Sequence, residues 1–425
     1  MQEWLRLLLG HRREFCFISK SLRINPPRRF FRKNYFLLVS LEKQIMKKTL
    51  AAVAVLGAFA GSALAADVTL YGIIEEGFTY AHVDGDFLKD SDSFSMDSGI
   101  QSTSRFGFKG TEDLGNGLTV GFILENGFAG DTGADNAPFF DRESSLFLEG
   151  GFGKVAFGRH GNFNQGQGSS SLIGRTSAFG TSFGNYSAQA GNIFAGGTRY
   201  DNSIAYQTPS FAGFKVYAMY GMGSNDNENE SSSDRYYGVA ATYDNAGLSL
   251  YLGVDSINYK SWNGKSVDDV DDSLTVTFGG NYNFEVAKVY FGAQYYDEVK
   301  LSSIGGIAGK HNLMKELFES ETVFDDTKIK GYSLALSADM PLLGGKAMAG
   351  IGYIDAETAD SFEDNNPGES YDLTRYVVSV GYDYALSKRT NVYGVATYMN
   401  DKIEDATDDF NPQAYAVMVG LRHKF

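Results

Sequence analysis

The stretch that decides the fold is AYAVMVGLRHKF, residues 414–425. One parity carries Tyr415, Val417, Val419, Leu421, His423 and Phe425, and the other carries Ala416, Met418, Gly420, Arg422 and Lys424. Alternate residues of a strand point to opposite faces, so the pattern predicts a strand with one apolar face and one small or polar face. Termini are commonly loose and polar unless the fold ties them down. The apolar face must therefore meet an apolar surrounding.

The composition favours β structure. The 425 residues include 50 Gly, 26 Tyr and 32 Phe, but only 7 Pro and a single cysteine, Cys16. Such a chain is rich in strand-forming aromatics and poor in cross-links. The mean hydropathy of −0.23 is compatible with a membrane location, because a transmembrane barrel needs apolar residues only at alternate strand positions.

The N-terminal region predicts export. MKKTLAAVAVLGAFAGSALA, residues 46–65, has two lysines, a short apolar run and a small-residue cleavage site before Ala66. This is the pattern of a secretory signal peptide, and the run is too short for a membrane-spanning anchor. Residues 1–45 are basic and unpatterned, and we interpret them as a non-native upstream extension of the reading frame; a genuine extra leader is the alternative. Residues 66–425 then form one barrel domain.

The charge of the exported part limits its partners. Residues 1–65 hold twelve of the 37 Lys and Arg and three of the 52 Asp and Glu, so the remainder has a net charge of −24 and no cysteine. Disulfides are then excluded as its cross-links, and such acidity argues against nucleic-acid binding. No apolar run after Ala65 is long enough for a membrane helix.

Alternating segments of about ten residues recur from residue 67 to 425, joined in turn by short and long connections. The short turns are DLGNG (113–117), GGFG (150–153), PSFAG (209–213), DNAG (244–247), NFEVA (283–287), PLLGG (341–345) and ALSKRT (385–390). The long segments lie near 82–100, 131–141, 161–198, 224–234, 259–272, 299–327, 357–372 and 401–412. Seven turns and eight loops join sixteen strands. The prediction is an all-β, 16-stranded antiparallel transmembrane β-barrel with short periplasmic turns and long external loops.

A water-soluble β-sandwich or barrel is the alternative fold. Sixteen strands would enclose a lumen too wide for side chains to fill, and the inward parity is mostly small or polar. The apolar face therefore meets lipid. Closure removes unpaired strand edges, so the last strand is expected to pair with DVTLYGIIEEGF, residues 67–78. Aromatics near strand ends fit interfacial girdles; they include Tyr80, Tyr243, Tyr376 and Tyr384.

Six stretches, in order along the chain, resemble the general porins of the Gram-negative outer membrane. They are VTLYG (68–72), SRFGFKGTEDLGNGL (104–118), RESSLFLEGGFGKVAFGR (142–159), RYDNSIAYQTPSFAGF (199–214), LSKRTNVYGVATY (386–398) and GLRHKF (420–425). The resemblance implies a homotrimer in the outer membrane, in contact with lipid and lipopolysaccharide, that passes small hydrophilic solutes by diffusion. It also implies that the third loop, residues 161–198, folds into the barrel, and that Phe425 is part of the outer-membrane assembly signal.

The resemblance further implies a wall of arginines opposite the third loop, matched by position to Arg105, Arg142 and Arg159. Parity independently groups Arg105 with Lys109 on the lumen face, whereas simple alternation leaves Arg142 ambiguous. The loop departs from the family, because it holds no Asp or Glu and its only charge is Arg175. By parity, three lumen-side carboxylates can partly replace the missing loop carboxylates: Glu75, Glu125 and Asp201.

A wall of arginines that faces a loop without carboxylates predicts a pore that prefers anions. Most of the net charge of −24 comes from outer loops such as DGDFLKDSD, NDNENE, DDVDD and EDATDD. Those loops can attract cations to the mouth, but screening separates them from the constriction. We therefore expect the constriction to decide the selectivity.

Other functions remain as alternatives. A substrate-selective channel for sugars or organic anions would use the loop aromatics Phe163, Phe179, Phe183, Tyr186 and Phe194 as a stacking track, although packing against the wall is the favoured reading. An enzyme would need a nucleophile and a positioned base, and the only candidates are His160 and Ser169–Ser171. A lone histidine beside a run of serines is more often an unconnected part of a loop, so no catalysis is expected. Neither a phosphate-binding motif nor an EF-hand is present, so no cofactor or metal is expected. An anchored adhesion barrel is the third possibility.

Overall fold

The computed structural model describes residues 67–85, 88–166, 168–223, 234–262, 265–266, 271–307, 327–365, 370–404 and 409–425. The expected extension 1–45 and signal peptide 46–65 lie outside these residues. So do NDNENE and parts of the other acidic loop stretches.

The described part is a closed antiparallel barrel of sixteen strands. The strands are β1 Thr69–Gly85, β2 in two segments Leu88–Ser98 and Arg105–Gly115, β3 Leu118–Gly127, β4 Glu143–Gly150, β5 Gly153–Gly161, β6 Arg199–Gln207, β7 Phe214–Gly221, β8 Arg235–Asn245, β9 Leu248–Asn258, β10 Leu274–Asn283, β11 Lys288–Lys300, β12 Lys328–Leu342, β13 Gly345–Thr358, β14 Asp372–Ala385, β15 Thr390–Glu404 and β16 Gln413–Lys424. A short hairpin (Ser261–Trp262 with Lys265–Ser266), a two-residue strand Asp409–Phe410 and a short helix Asp360–Asn365 lie in the long connections.

The barrel closes where the sequence predicts. β16 pairs with β1 in a continuous antiparallel register from Ile73↔Lys424 to Asp84↔Gln413. Gly72 and Phe425 add two main-chain hydrogen bonds, of 3.2 and 3.1 Å. Closure satisfies the edge strands' N–H and C=O groups, which an open sheet would leave unpaired.

The tight turns follow the chemistry of the sequence. Asn116 and Gly117 both have positive φ, 55° and 74°, as do Ala246 and Gly247, 44° and 88°. Two-residue hairpins of this kind need positive φ at both central residues, because that twist matches the flanking strands. These turns lie at one end of the barrel, and the long connections lie at the other.

The two faces of each strand differ as the alternation predicts. On β16, Val417 and Val419 are 51% and 48% exposed on the outer surface, whereas Ala416 and Met418 are 2% and 1% exposed. On β14, Tyr376 and Val378 are likewise exposed and Val377 is buried. The apolar parity thus faces outward around the barrel. Among the described residues, no helix is long and apolar enough to span a membrane.

The wall is uneven in height. β3 to β7 have only 8 to 10 residues each, whereas β11 to β15 have 13 to 15. One difference from the sequence reading is the region 82–100, expected as a loop. It is mostly a hairpin, in which β1 runs to Gly85 and pairs with Leu88–Ser98.

Candidate functional site

Loop 3, the connection of residues 162–198 between β5 and β6, lies inside the barrel. Its main chain is held by hydroxyl groups that line the opposite wall. The bonds are Ala178 N to Ser337 Oγ at 2.9 Å, Ala188 N to Ser379 Oγ at 2.8 Å, and Thr397 Oγ1 to Tyr186 O at 2.6 Å. The polar inward parity of β12, β14 and β15 is therefore a docking surface for the loop.

The loop's aromatic side chains complete this packing. All five are at most 6% exposed: Phe163, Phe179, Phe183, Tyr186 and Phe194. The Phe183 ring meets Phe179 and Tyr393 edge-on, with centroids 5.7 and 5.6 Å apart. Burial raises the pKa of Tyr186 to about 12. Buried rings cannot stack on a passing sugar, so the aromatics pack the loop against the wall.

A second inward element was not anticipated. Residues 99–104 leave the wall between the two segments of β2, and the carbonyl of Ile100 accepts hydrogen bonds from Phe183 N at 2.6 Å and Gly184 N at 3.1 Å. Gln101 bonds to Asp383 of β14 at 2.7 Å and to Asn391 of β15 at 2.8 Å. Residues 99–104 thus add a second support for loop 3 at Phe183 and Gly184.

A buried arginine joins loop 3 to a further connection. Arg375 is 1% exposed and forms a two-point ion pair with Asp401, Nε–Oδ1 2.6 Å and Nη2–Oδ2 2.7 Å. Its Nη1 donates to Asn192 O of loop 3 at 2.9 Å and to Gly305 O, just after β11, at 2.5 Å. A planar guanidinium has enough donors for all four bonds, so one side chain fixes three segments.

Opposite loop 3, the wall of β1 to β4 carries the predicted cations. A cavity of about 500 Å³ lies between the two. Its wall side includes Tyr71, Arg105, Lys109, Glu125, Arg142 and Glu143, and its loop side includes Gly166, Gly168, Ser169, Ser171, Thr181 and Ser182. The described part of the loop therefore presents hydroxyls and glycines to three cations and two carboxylates.

Glu125 organises the cations. Its Oε1 lies 2.6 Å from Arg142 Nε, and its Oε2 lies 3.7 Å from Arg105 Nε and accepts the Tyr71 hydroxyl at 2.9 Å. Arg142 is 2% exposed, so its guanidinium has almost no surface towards the cavity. Arg105 is partly exposed and Lys109 is exposed, with its Nζ 5.2 Å from the centre of the Tyr71 ring. These two side chains are therefore the accessible cations of the cavity.

Glu143 is a site residue that the sequence reading missed. Its carboxylate accepts Ser169 N at 2.9 Å and Ser169 Oγ at 2.7 Å, and so fixes the loop side of the cavity to the wall. It faces inward with Ser145 and Phe147, all three buried. The parity of β4 carried this signal, because Glu143 alternates with the outward Leu146.

Other predicted site residues lie outside this cavity. Arg159 pairs with Asp201 and donates to Asp141 O at 2.7 Å. A register irregularity between Gly158 and His160 interrupts the alternation there. Arg199 carries a further cation, missed by sequence reasoning, near enough to interact electrostatically with Arg142 and Arg159.

Glu75 and Arg175 are also separate from the cation wall. Glu75 is fully buried, accepts the Tyr393 hydroxyl and lies 3.5 Å from Ser102 N. Arg175 lies in another cavity, where its Nε donates to Ser249 Oγ at 3.2 Å.

The structure pairs the histidine with a serine outside the run. His160 is 1% exposed, and its Nδ1 lies 2.8 Å from Ser203 Oγ. Within the described ranges, no group of three or more His, Cys, Asp or Glu side chains could hold a metal ion.

Comparisons with known proteins agree with this architecture. A family model described as Gram-negative porin matches residues 51–404. An outer membrane porin of Bordetella pertussis is 33% identical over 418 residues, covering 89% of this chain and 100% of the relative. Outer membrane porin protein 32 of Delftia acidovorans is 30% identical, again covering 89% of this chain and 100% of the relative. The solved anion-selective porin from Comamonas acidovorans superposes with a TM-score of 0.60 at 28% identity, covering 85% of this chain and 100% of that one.

Proposed function

The chain belongs to the Gram-negative porin family, and on that premise we propose that its outer-membrane pore passes small hydrophilic solutes by passive diffusion and prefers anions. One observation carries the anion preference. The cavity between wall and loop 3 holds Arg105, Lys109 and Arg142 on one side and, in its described part, only uncharged groups on the loop side. The solved relative named as anion-selective is consistent with it.

The carboxylates of the cavity wall reduce the preference of the pore for anions over cations. Glu125 neutralises much of the charge of Arg142, and Glu143 adds a second negative charge, so three cations face two carboxylates. Fields in a narrow pore are strong because the low dielectric of the wall screens poorly. The outer acidic loops act over a Debye length of about 8 Å at physiological salt. We therefore propose a moderate anion preference set by Arg105 and Lys109.

We propose a homotrimer that contacts outer-membrane lipid and lipopolysaccharide, with the low wall of β3 to β7 facing the neighbouring copies. Phe425 is proposed as part of the assembly signal, and residues 46–65 as the export signal. The pore has no proposed catalytic activity, since the buried His160 cannot reach a solute.

A channel selective for organic anions is the second candidate. The hydroxyl groups of Ser169, Ser171, Thr181 and Ser182 across from Arg105 favour it. The buried loop aromatics remove the aromatic sugar track as its basis.

The test is the reversal potential of a protein lacking residues 1–65, in a planar bilayer with a KCl gradient. Ohmic steps with a chloride-side reversal potential support the proposal, and Arg105→Gln should move the reversal potential towards zero. Lys154→Gln is the control, because Lys154 is a lysine of β5 that lies outside the cavity. A potassium-side reversal would contradict anion preference while leaving the pore intact.

A further inference from the structure

A second cavity, of about 810 Å³, adjoins the first on the side of the short turns. It is lined by the turns between β8 and β9 and between β10 and β11, and by loop 3. Its polar lining includes Arg175, Asp244, Ser249, Asn281, Asn283 and Lys288. Ser171 lines both cavities, so the two spaces adjoin along loop 3.

Arg175 is held in place at the edge of this cavity. Its Nε donates to Ser249 Oγ at 3.2 Å, its Nη2 lies 3.6 Å from Asp244 Oδ2, and its main-chain O accepts Asn281 Nδ2 at 2.9 Å. Ser249 in turn donates to Asp244 Oδ1 at 2.6 Å. The arginine side chain is 27% exposed, and the guanidinium has donors left over after these contacts. A fixed, partly exposed guanidinium loses little entropy when it binds an oxyanion.

Lys288 supplies a second cation across the same space. Its Nζ lies 4.9 Å from the centre of the Tyr290 ring, and within the described ranges no carboxylate forms an ion pair with it. The Tyr290 hydroxyl donates instead to Asp339 at 2.7 Å. The cavity thus has two cations, one carboxylate already engaged by Arg175, and several hydroxyl and amide groups.

We propose that Arg175 and Lys288 form a second anion station on the short-turn side of loop 3, suited to a small oxyanion that also carries hydroxyl groups, such as a sugar acid. The cations bind the carboxylate, and Ser249, Asn281 and Asn283 bind the hydroxyls. The volume is within the range of about 300–1,000 Å³ of small-molecule sites. This inference rests on the proposed pore function, and it assigns Arg175 to the exit from the constriction.

The station gives permeation two weak binding steps in series. A solute attracted to Arg105 and Lys109 moves past Ser171 to Arg175 and Lys288, and then leaves. Transport through a pore requires sites that attract a solute without holding it. The hydroxyl and amide lining distinguishes a sugar acid from acetate or chloride, because only the sugar acid has hydroxyl groups that can pair with those groups in addition to its carboxylate.

The test measures block of the chloride current by gluconate, with acetate as the comparison, each added separately to either side of the bilayer. Gluconate is expected to block more strongly than acetate, with the stronger effect from the short-turn side. Lys288→Gln should raise the apparent Kd of gluconate about fivefold, because it removes one charge-assisted hydrogen bond at a partly exposed site. This variant leaves the contacts of loop 3 intact.

Lys154→Gln is the matched control, since Lys154 also lies over an aromatic ring, 3.9 Å from the Phe147 centroid, but outside this cavity. It should change the Kd less than about twofold. Arg175→Lys should retain much of the affinity that Arg175→Gln loses. Two results would overturn the second anion station without contradicting the pore function. In one, gluconate does not block open channels; in the other, Lys288→Gln and Lys154→Gln weaken the block equally. A wild type with no ohmic steps would overturn both.

Discussion

Replacing Arg375 with methionine should destabilise the barrel and loosen its interior. The change leaves Asp401, which is 0% exposed, as an unpaired buried carboxylate, and removing one partner of such a pair costs about 3–5 kcal/mol. The carbonyls of Asn192 and Gly305 also lose their donor, at about 1 kcal/mol each. The expected loss of unfolding free energy is therefore about 5–7 kcal/mol.

The assay follows the folded fraction against guanidinium concentration, read from the gel mobility of unheated samples in detergent. Arg375→Met/Asp401→Leu is the control, because it removes both charges together. Replacing a whole buried ion pair by apolar residues is often nearly neutral. The double variant should recover most of the loss, and a double-mutant cycle isolates the coupling.

A second readout is the noise of the open-channel current. Without the guanidinium, loop 3 and the segment around Gly305 lose the tie to β14 that they share at Arg375, so single-channel current should fluctuate more. A single variant that loses less than about 1 kcal/mol and shows an unchanged current would refute the role assigned to Arg375.

Three further variants test the constriction and the closure of the barrel. Glu125→Gln removes the carboxylate shared by two arginines and should move the reversal potential further to the chloride side; a shift towards potassium would contradict the charge assignment. Glu143→Gln weakens two hydrogen bonds to Ser169 by about 1–2 kcal/mol and should broaden the distribution of single-channel conductances, whereas an unchanged distribution would show that the loop is held elsewhere. Gly72→Ala places a Cβ 2.6 Å from Arg105 O and against the Phe425 ring, and should cost about 1–3 kcal/mol; thermal unfolding in detergent measures this loss, and an unshifted Tm would be inconsistent with close packing at Gly72.

The sequence by itself determined the strand count, the turns and the outward face. These features depend on local rules, since period-2 alternation sets which residues share a face and Gly or Asn permits positive φ in a tight turn. The pairing of β1 with β16 also follows, because only closure satisfies the edge strands. Arg105 and Lys109 were placed on the inner face for the same reason.

Only the tertiary structure decided what fills the interior. Ile100 meets Phe183 across 83 residues of chain, and Arg375 meets Asn192 across 183. Such contacts produce no repeating pattern in the sequence, because each depends on where an irregular loop docks. The irregularity beside Gly158 likewise ends the alternation at Arg159, so parity cannot place that side chain. Arg175 illustrates the same limit: the sequence showed a lone charge in loop 3, and the fold placed it beside Ser249 and Asp244, away from the cation wall.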